Sequence, residues 1–114
     1  MKDPGLYLVH ILETIEKVEE YTAPGRSEFM NNLMMQDATL RCLQTIGESV
    51  KRLPHELKDK RPEVDWYGIM AFRNVAVHEY RSINLDSVWS IVEEDLPILK
   101  PATQALFDEL PKQP

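Results

Sequence analysis

Arg73, Asn74, His78 and Tyr80 set a guanidinium, an amide, an imidazole and a phenol close together in Phe72-Arg73-Asn74-Val75-Ala76-Val77-His78-Glu79-Tyr80. The surrounding segment is otherwise apolar and begins at Trp66. At about 100° per residue a helix here places Asn74 and His78 on one face, and Arg73, Val77 and Tyr80 on the adjacent one. A helix that only filled a core would not carry these groups beside Phe72, Val75 and Val77. Burying a lone guanidinium costs several kcal/mol, roughly, so the polar side must meet a cleft, an interface or water.

These side chains suit phosphodiester chemistry. RNA brings its own nucleophile, the 2′-hydroxyl, and its internal cleavage needs a base, an acid and positive charge on the phosphate. Histidine serves as acid or base near neutral pH. Arginine offers a planar fork of donors that matches phosphate oxygens and keeps its charge. Asn74 is placed to orient a phosphate or the imidazole, and Tyr80 to donate to an oxyanion or stack on a base. One histidine does not readily act as base and acid in the same step. A two-fold dimer that apposes two copies of this helix would supply the second imidazole and guanidinium. The structural alternative is that Arg73 and His78 form interhelical ion pairs with Glu48 or Asp37 and do nothing else.

Other chemistries find less support. No glycine-rich phosphate loop precedes a helix. His10, His55 and His78 lack partners at metal-ligand spacing, so neither metal nor cofactor is expected. Nothing in the sequence favours a Cys42–His78 nucleophilic pair, and Cys42 reads as a small buried hydrophobe in a helical pattern. His55 reads as an exposed loop residue.

The elements that must hold this segment are helices. Asp3-Pro4 reads as an N-cap and first helical position. Leu8, Ile11, Leu12, Ile15 and Val18 then share one face of a helix over Pro4 to Tyr21, which Ala23-Pro24-Gly25 ends. Ser27 is the expected cap of a second helix. Its apolar seam runs through Leu33, Leu40, Leu43, Ile46, Val50 and Leu53 to Pro54. Beside the seam runs a polar row, Asp37, Arg41, Gln44 and Glu48, either solvated or facing the Arg73–Tyr80 helix. Gly47 suggests close helix packing. Pro54 to Arg61 reads as short, charged and turn-like, with room for one helical turn. Asp65 is placed to cap the helix that leads into the central segment, and Ser82 or Asn84 to cap the next, with Leu85, Val88, Trp89 and Val92 inward. Pro97 and Pro101 are expected to kink or divide it, leaving Ala102 to Leu110 as a last helix.

With no strand alternation, repeat or linker, the expected fold is all-α, a small up-and-down helical bundle forming one domain over 1–114. The absence of a long apolar run or signal-peptide pattern gives a cytoplasmic expectation and no membrane contact. A net charge of −6 argues against coating nucleic acid through a broad basic surface. It leaves room for a small positive pocket.

Arg73-Asn74, three residues, His78, one residue, Tyr80 resembles the Arg-x4-His-x-Tyr signature of the HepT-like (DUF86) branch of the HEPN superfamily. Gln36-Asp37-Ala38, Arg41, Ile46-Gly47-Glu48, Pro62 to Trp66, Asn84-Leu85-Asp86, Val88-Trp89 and Asp95-Leu96-Pro97 are similar to that family in order and spacing, over roughly residues 5 to 100. The resemblance implies a homodimeric helical bundle with the motif of each protomer lining a shared cleft. It implies a metal-independent endoribonuclease, the toxin of a type VII-like toxin–antitoxin pair, with Arg73 and His78 catalytic and Asn74 supporting. Tyr80 would be the tyrosine that an MntA-like minimal nucleotidyltransferase antitoxin modifies with AMP. Asp37 and Glu48 would be further supporting residues. The competing expectation is a non-catalytic helical partner or substrate-binding module of a nucleotidyltransferase.

Overall fold

A computed structural model describes residues 3–71 and 84–111. Among these the chain is all-α. The first helix, α1 (Pro4–Tyr21), starts as expected: the Asp3 carboxylate accepts from the Gly5 amide at 2.9 Å and proline opens the first turn. Leu8, Ile11, Ile15 and Val18 are buried along its inner stripe. That stripe packs mainly on α3 (Leu33–Lys51) and also on α7 (Leu96–Asp108). Leu40, Leu43, Ile46 and Val50 of α3 and Leu99, Ala102 and Leu106 of α7 complete the core. Each fully buried aliphatic side chain contributes about 1.5–3 kcal/mol, so this three-helix contact is the main source of stability.

The expected long second helix is two helices. Its cap is not Ser27 but Gly25, whose φ of 102° is a backbone state that favours glycine. After α2 (Arg26–Asn31) the chain turns extended at Asn32, whose side-chain oxygen accepts from the Met35 amide at 3.0 Å and starts α3. Gln36 Nε2 donates to the Phe29 carbonyl at 2.8 Å, supplementing the long 3.5 Å bond from the Asn32 amide at the break. Leu33 therefore lies outside the core seam and is 68% exposed, whereas Phe29 is fully buried against the Trp89 ring, 5.3 Å between centroids. Gly47 is buried within α3.

The short α4 (His55–Asp59) fills the charged stretch after Pro54, with His55 exposed as expected. Residues 66–71 form α5, which leads towards the central segment; α6 (Leu85–Ser90) follows it. The two prolines do not divide the helix that α6 begins. A wide π-helical turn, Ile91–Asp95, joins α6 directly to α7. Pro97 falls in the first turn of α7, where a missing N–H costs little, and Pro101 lies exposed inside the same helix. Ala102 to Leu110 is thus the end of α7 and its cap, not a separate helix. Among the described residues no helix is long and apolar enough to cross a membrane.

Candidate functional site

Arg73, Asn74, His78 and Tyr80 lie outside the described residues; the structure defines the framework on either side of them. On the leading side, the Asp65 carboxylate caps α5 through the Gly68 amide at 2.9 Å. Trp66 is buried and its indole Nε1 donates to the Arg61 carbonyl at 3.0 Å. Lys58 is only 6% exposed, and its Nζ lies 3.3 Å from the Val50 carbonyl and 3.9 Å from the Met70 sulfur. This ammonium ties the C-terminal end of α3, where carbonyl charge accumulates, to the helix leading into Phe72. Its burial holds the amine below the usual lysine range, with Asp59 opposing that shift. On the trailing side, Asn84 Oδ1 accepts from the Asp86 and Ser87 amides at 2.8 and 3.3 Å, fixing where α6 begins.

Asp37 and Glu48 occupy one stripe of α3, three turns or roughly 16 Å apart. Asp37 is exposed and Glu48 is half-buried. Sequence reasoning missed Lys58, because His55-Glu56-Leu57-Lys58-Asp59 has the composition of a solvated turn and no periodic signal marks its burial. Cys42 follows expectation: it is buried, and desolvation pushes its thiol above the ordinary value while Lys17 and Arg41 oppose the shift. Such a thiol is a poor nucleophile.

Beside α5 an apolar cavity of about 210 Å³ is lined by Leu43, Ile46, Val64, Ile69, Ile91 and Leu96, with Glu63, Asp65 and Asp95 at its edge. Burial, then Glu94 and Asp65, push the Asp95 carboxyl above its usual range. An acidic mouth repels phosphate, so this cavity is no seat for a polyanion. Among the described residues no group of three His, Cys, Asp or Glu side chains is arranged to hold a metal ion.

The described framework is that of a small all-α protein whose signature segment is carried between a capped helix, α5, and the Asn84 cap of α6. The family described as ribonuclease HepT-like matches residues 11–106, and the chain belongs to that family, within the HEPN superfamily. Its class is ribonuclease. A Thermococcus cleftensis protein named "Probable ribonuclease HepT" is 36% identical over 95 residues, covering 82% of this chain and 86% of the relative. A Methanocaldococcus jannaschii "Putative RNase" is 35% identical over 100 residues, 87% of this chain and 92% of the relative. A second protein of that organism, named "Gamma-glutamylcyclotransferase and putative RNase", is 36% identical over 112 residues; they make up 97% of this chain and 50% of the relative. The chain thus spans half the length of that relative and most of the length of the other two. No solved structure matches the chain.

Proposed function

We propose that this chain is a metal-independent endoribonuclease, the toxin of a type VII-like toxin–antitoxin pair, working in the cytoplasm as a homodimer of single-domain protomers. The observation that carries the reading is Arg73 and His78 at the spacing of the HepT-like signature, in a chain that belongs to that family. His78 of one protomer accepts the 2′-hydroxyl proton as the 2′-oxygen bonds to phosphorus. The P–O5′ bond breaks, and His78 of the other protomer gives its proton to the leaving 5′-oxygen. The Arg73 guanidinium neutralises the crowded phosphate, Asn74 orients it, and Asp37 and Glu48 support the two catalytic groups. The product carries a 2′,3′-cyclic phosphate.

An MntA-like minimal nucleotidyltransferase antitoxin silences the enzyme by transferring AMP from ATP to the Tyr80 oxygen, with release of pyrophosphate. The new phosphodiester anion then competes with substrate for Arg73 and fills the cleft. The test is RNA cleavage by the purified chain with a chelator present. Arg73→Ala and His78→Ala should each lower the rate by roughly 10²–10⁴. Equal rates in wild type and both variants, or cleavage that the chelator abolishes, would remove this reading.

A further inference from the structure

The described surface holds one more feature suited to a polyanion, and it lies on the face shared by α1 and α3. His10, Thr14, Lys17 and Tyr21 follow one another along α1 at helical spacing, and Ala38, Arg41, Cys42 and Thr45 do the same along α3. Between them runs an open groove of about 370 Å³. No lining residue is acidic, in a chain with 19 carboxylates against 13 lysines and arginines. Lys17 and Arg41 approach it from opposite walls, both exposed, and neither forms an ion pair among the described residues. Cys42 lines the same groove, and the two cations oppose the rise that burial gives its thiol.

The remaining groups fit the same ligand. His10 Nδ1 lies 3.4 Å from Ser49 Oγ, so the imidazole is held at one end of the groove. Tyr21 is 38% exposed at the other end, with a ring face large enough to receive a base. Thr14 and Thr45 already donate to the carbonyls of His10 and Arg41. Their hydroxyl oxygens remain acceptors, and the charged donors that the groove offers an anion are Lys17 and Arg41. The acids of the same helices, Glu13, Glu16, Glu19 and Glu20 on α1 and Asp37 and Glu48 on α3, stand outside the lining. Arg41 also belongs to the α3 stripe that carries Asp37 and Glu48, so the groove adjoins the row assigned to support the catalytic pair.

We infer that the α1–α3 groove is an RNA-binding subsite, in which Lys17 and Arg41 hold a backbone phosphate outside the scissile position and Tyr21 stacks on a neighbouring base. The inference rests on the ribonuclease reading for its ligand and assigns that ligand a second point of attachment. It gives a chain of net charge −6 a second place to hold a polyanion: two cations face one groove whose lining contains no carboxylate.

The experiment measures binding of a single-stranded 2′-O-methyl oligonucleotide, which lacks the internal nucleophile, to the full-length chain across a salt series. Removing one cation that neutralises a phosphate should make log K against log salt shallower by about 0.7. Lys17→Gln and Arg41→Gln should each do so, their combination by about 1.4, and Lys17→Arg should restore the wild-type slope. Both positions are exposed and glutamine is a good helix former, so the variants keep the fold. Slopes and affinities equal to wild type would overturn the subsite. So would an oligo-aspartate peptide of equal charge that binds as tightly and depends equally on the two cations, since RNA would then not be the occupant. Cleavage of unmodified RNA is measured beside it. A chain that cuts RNA with unchanged slopes loses the groove and keeps the enzyme; one that shows the slope changes and cuts nothing loses the enzyme and keeps the groove.

Discussion

Lys58 carries its charge on a side chain 6% exposed, against the carbonyl end of α3 and the Met70 thioether. One backbone acceptor and one sulfur do not replace the water an ammonium loses, so the amine titrates below the ordinary value of 10.5. The sign of the linkage follows. A lysine with a depressed folded pKa contributes stability that is present above pH 10.5 and lost as pH falls through the lowered folded value. Lys58→Met keeps the unbranched apolar stem and removes the titration. The variant should therefore gain on wild type between alkaline and neutral pH, read as urea unfolding free energies at both ends. An unchanged gap would mean the ammonium is as well solvated in the fold as in the open chain. Nothing in the sequence marks this residue, because burial of one lysine in a five-residue helix is decided by where α3 ends. Cys42 was legible for the opposite reason: its place on the apolar side of a long helical pattern already specified burial.

The helix with the clearest periodicity, α1, has the bounds that its cap, its proline and its apolar stripe specify. The following helices show where periodicity misleads. Leu33 continues the apolar spacing of the seam, yet it is exposed, since the chain re-caps one residue earlier. Asn31-Asn32 was the available signal, outweighed by the hydrophobic pattern around it. Asn32→Ala removes the acceptor that holds the Met35 amide and should cost about 1 kcal/mol, seen as a fall of roughly 4 °C in Tm. Asn32→Ser should retain most of the stability, because a hydroxyl also caps and sets no second carboxylate against Glu28, which Asn32 Nδ2 contacts at 3.1 Å. If both variants melt with wild type, the Met35 amide has another partner and Asn32 is not what divides α2 from α3. Pro97 suggests a kink from sequence, but the π turn ahead of it widens the helix where the ring would meet the preceding carbonyl. The groove between α1 and α3 was illegible for a different reason: each half is a plain stripe on its own helix, and only the packing sets Lys17 opposite Arg41.

At the scale of the whole molecule, the proposed mechanism gives each chain one catalytic imidazole, His78, for a reaction that needs both a base and an acid. The proposed dimer resolves this by lending each cleft two copies of His78, and that arrangement has a consequence in mixtures. Suppose wild-type chains exchange freely with a ninefold excess of His78→Ala chains. About one wild-type protomer in ten then finds a wild-type partner, as expected for random pairing across a two-fold interface. If both imidazoles are required, activity per wild-type chain should fall about tenfold, although the amount of wild-type protein is unchanged. If each protomer cleaves RNA with its own Arg73 and His78, the activity should stay level. The mixtures are measured at saturating RNA, so that a fall in activity reports unproductive pairing rather than RNA held by the excess protein. A level response would assign the chemistry to a single protomer.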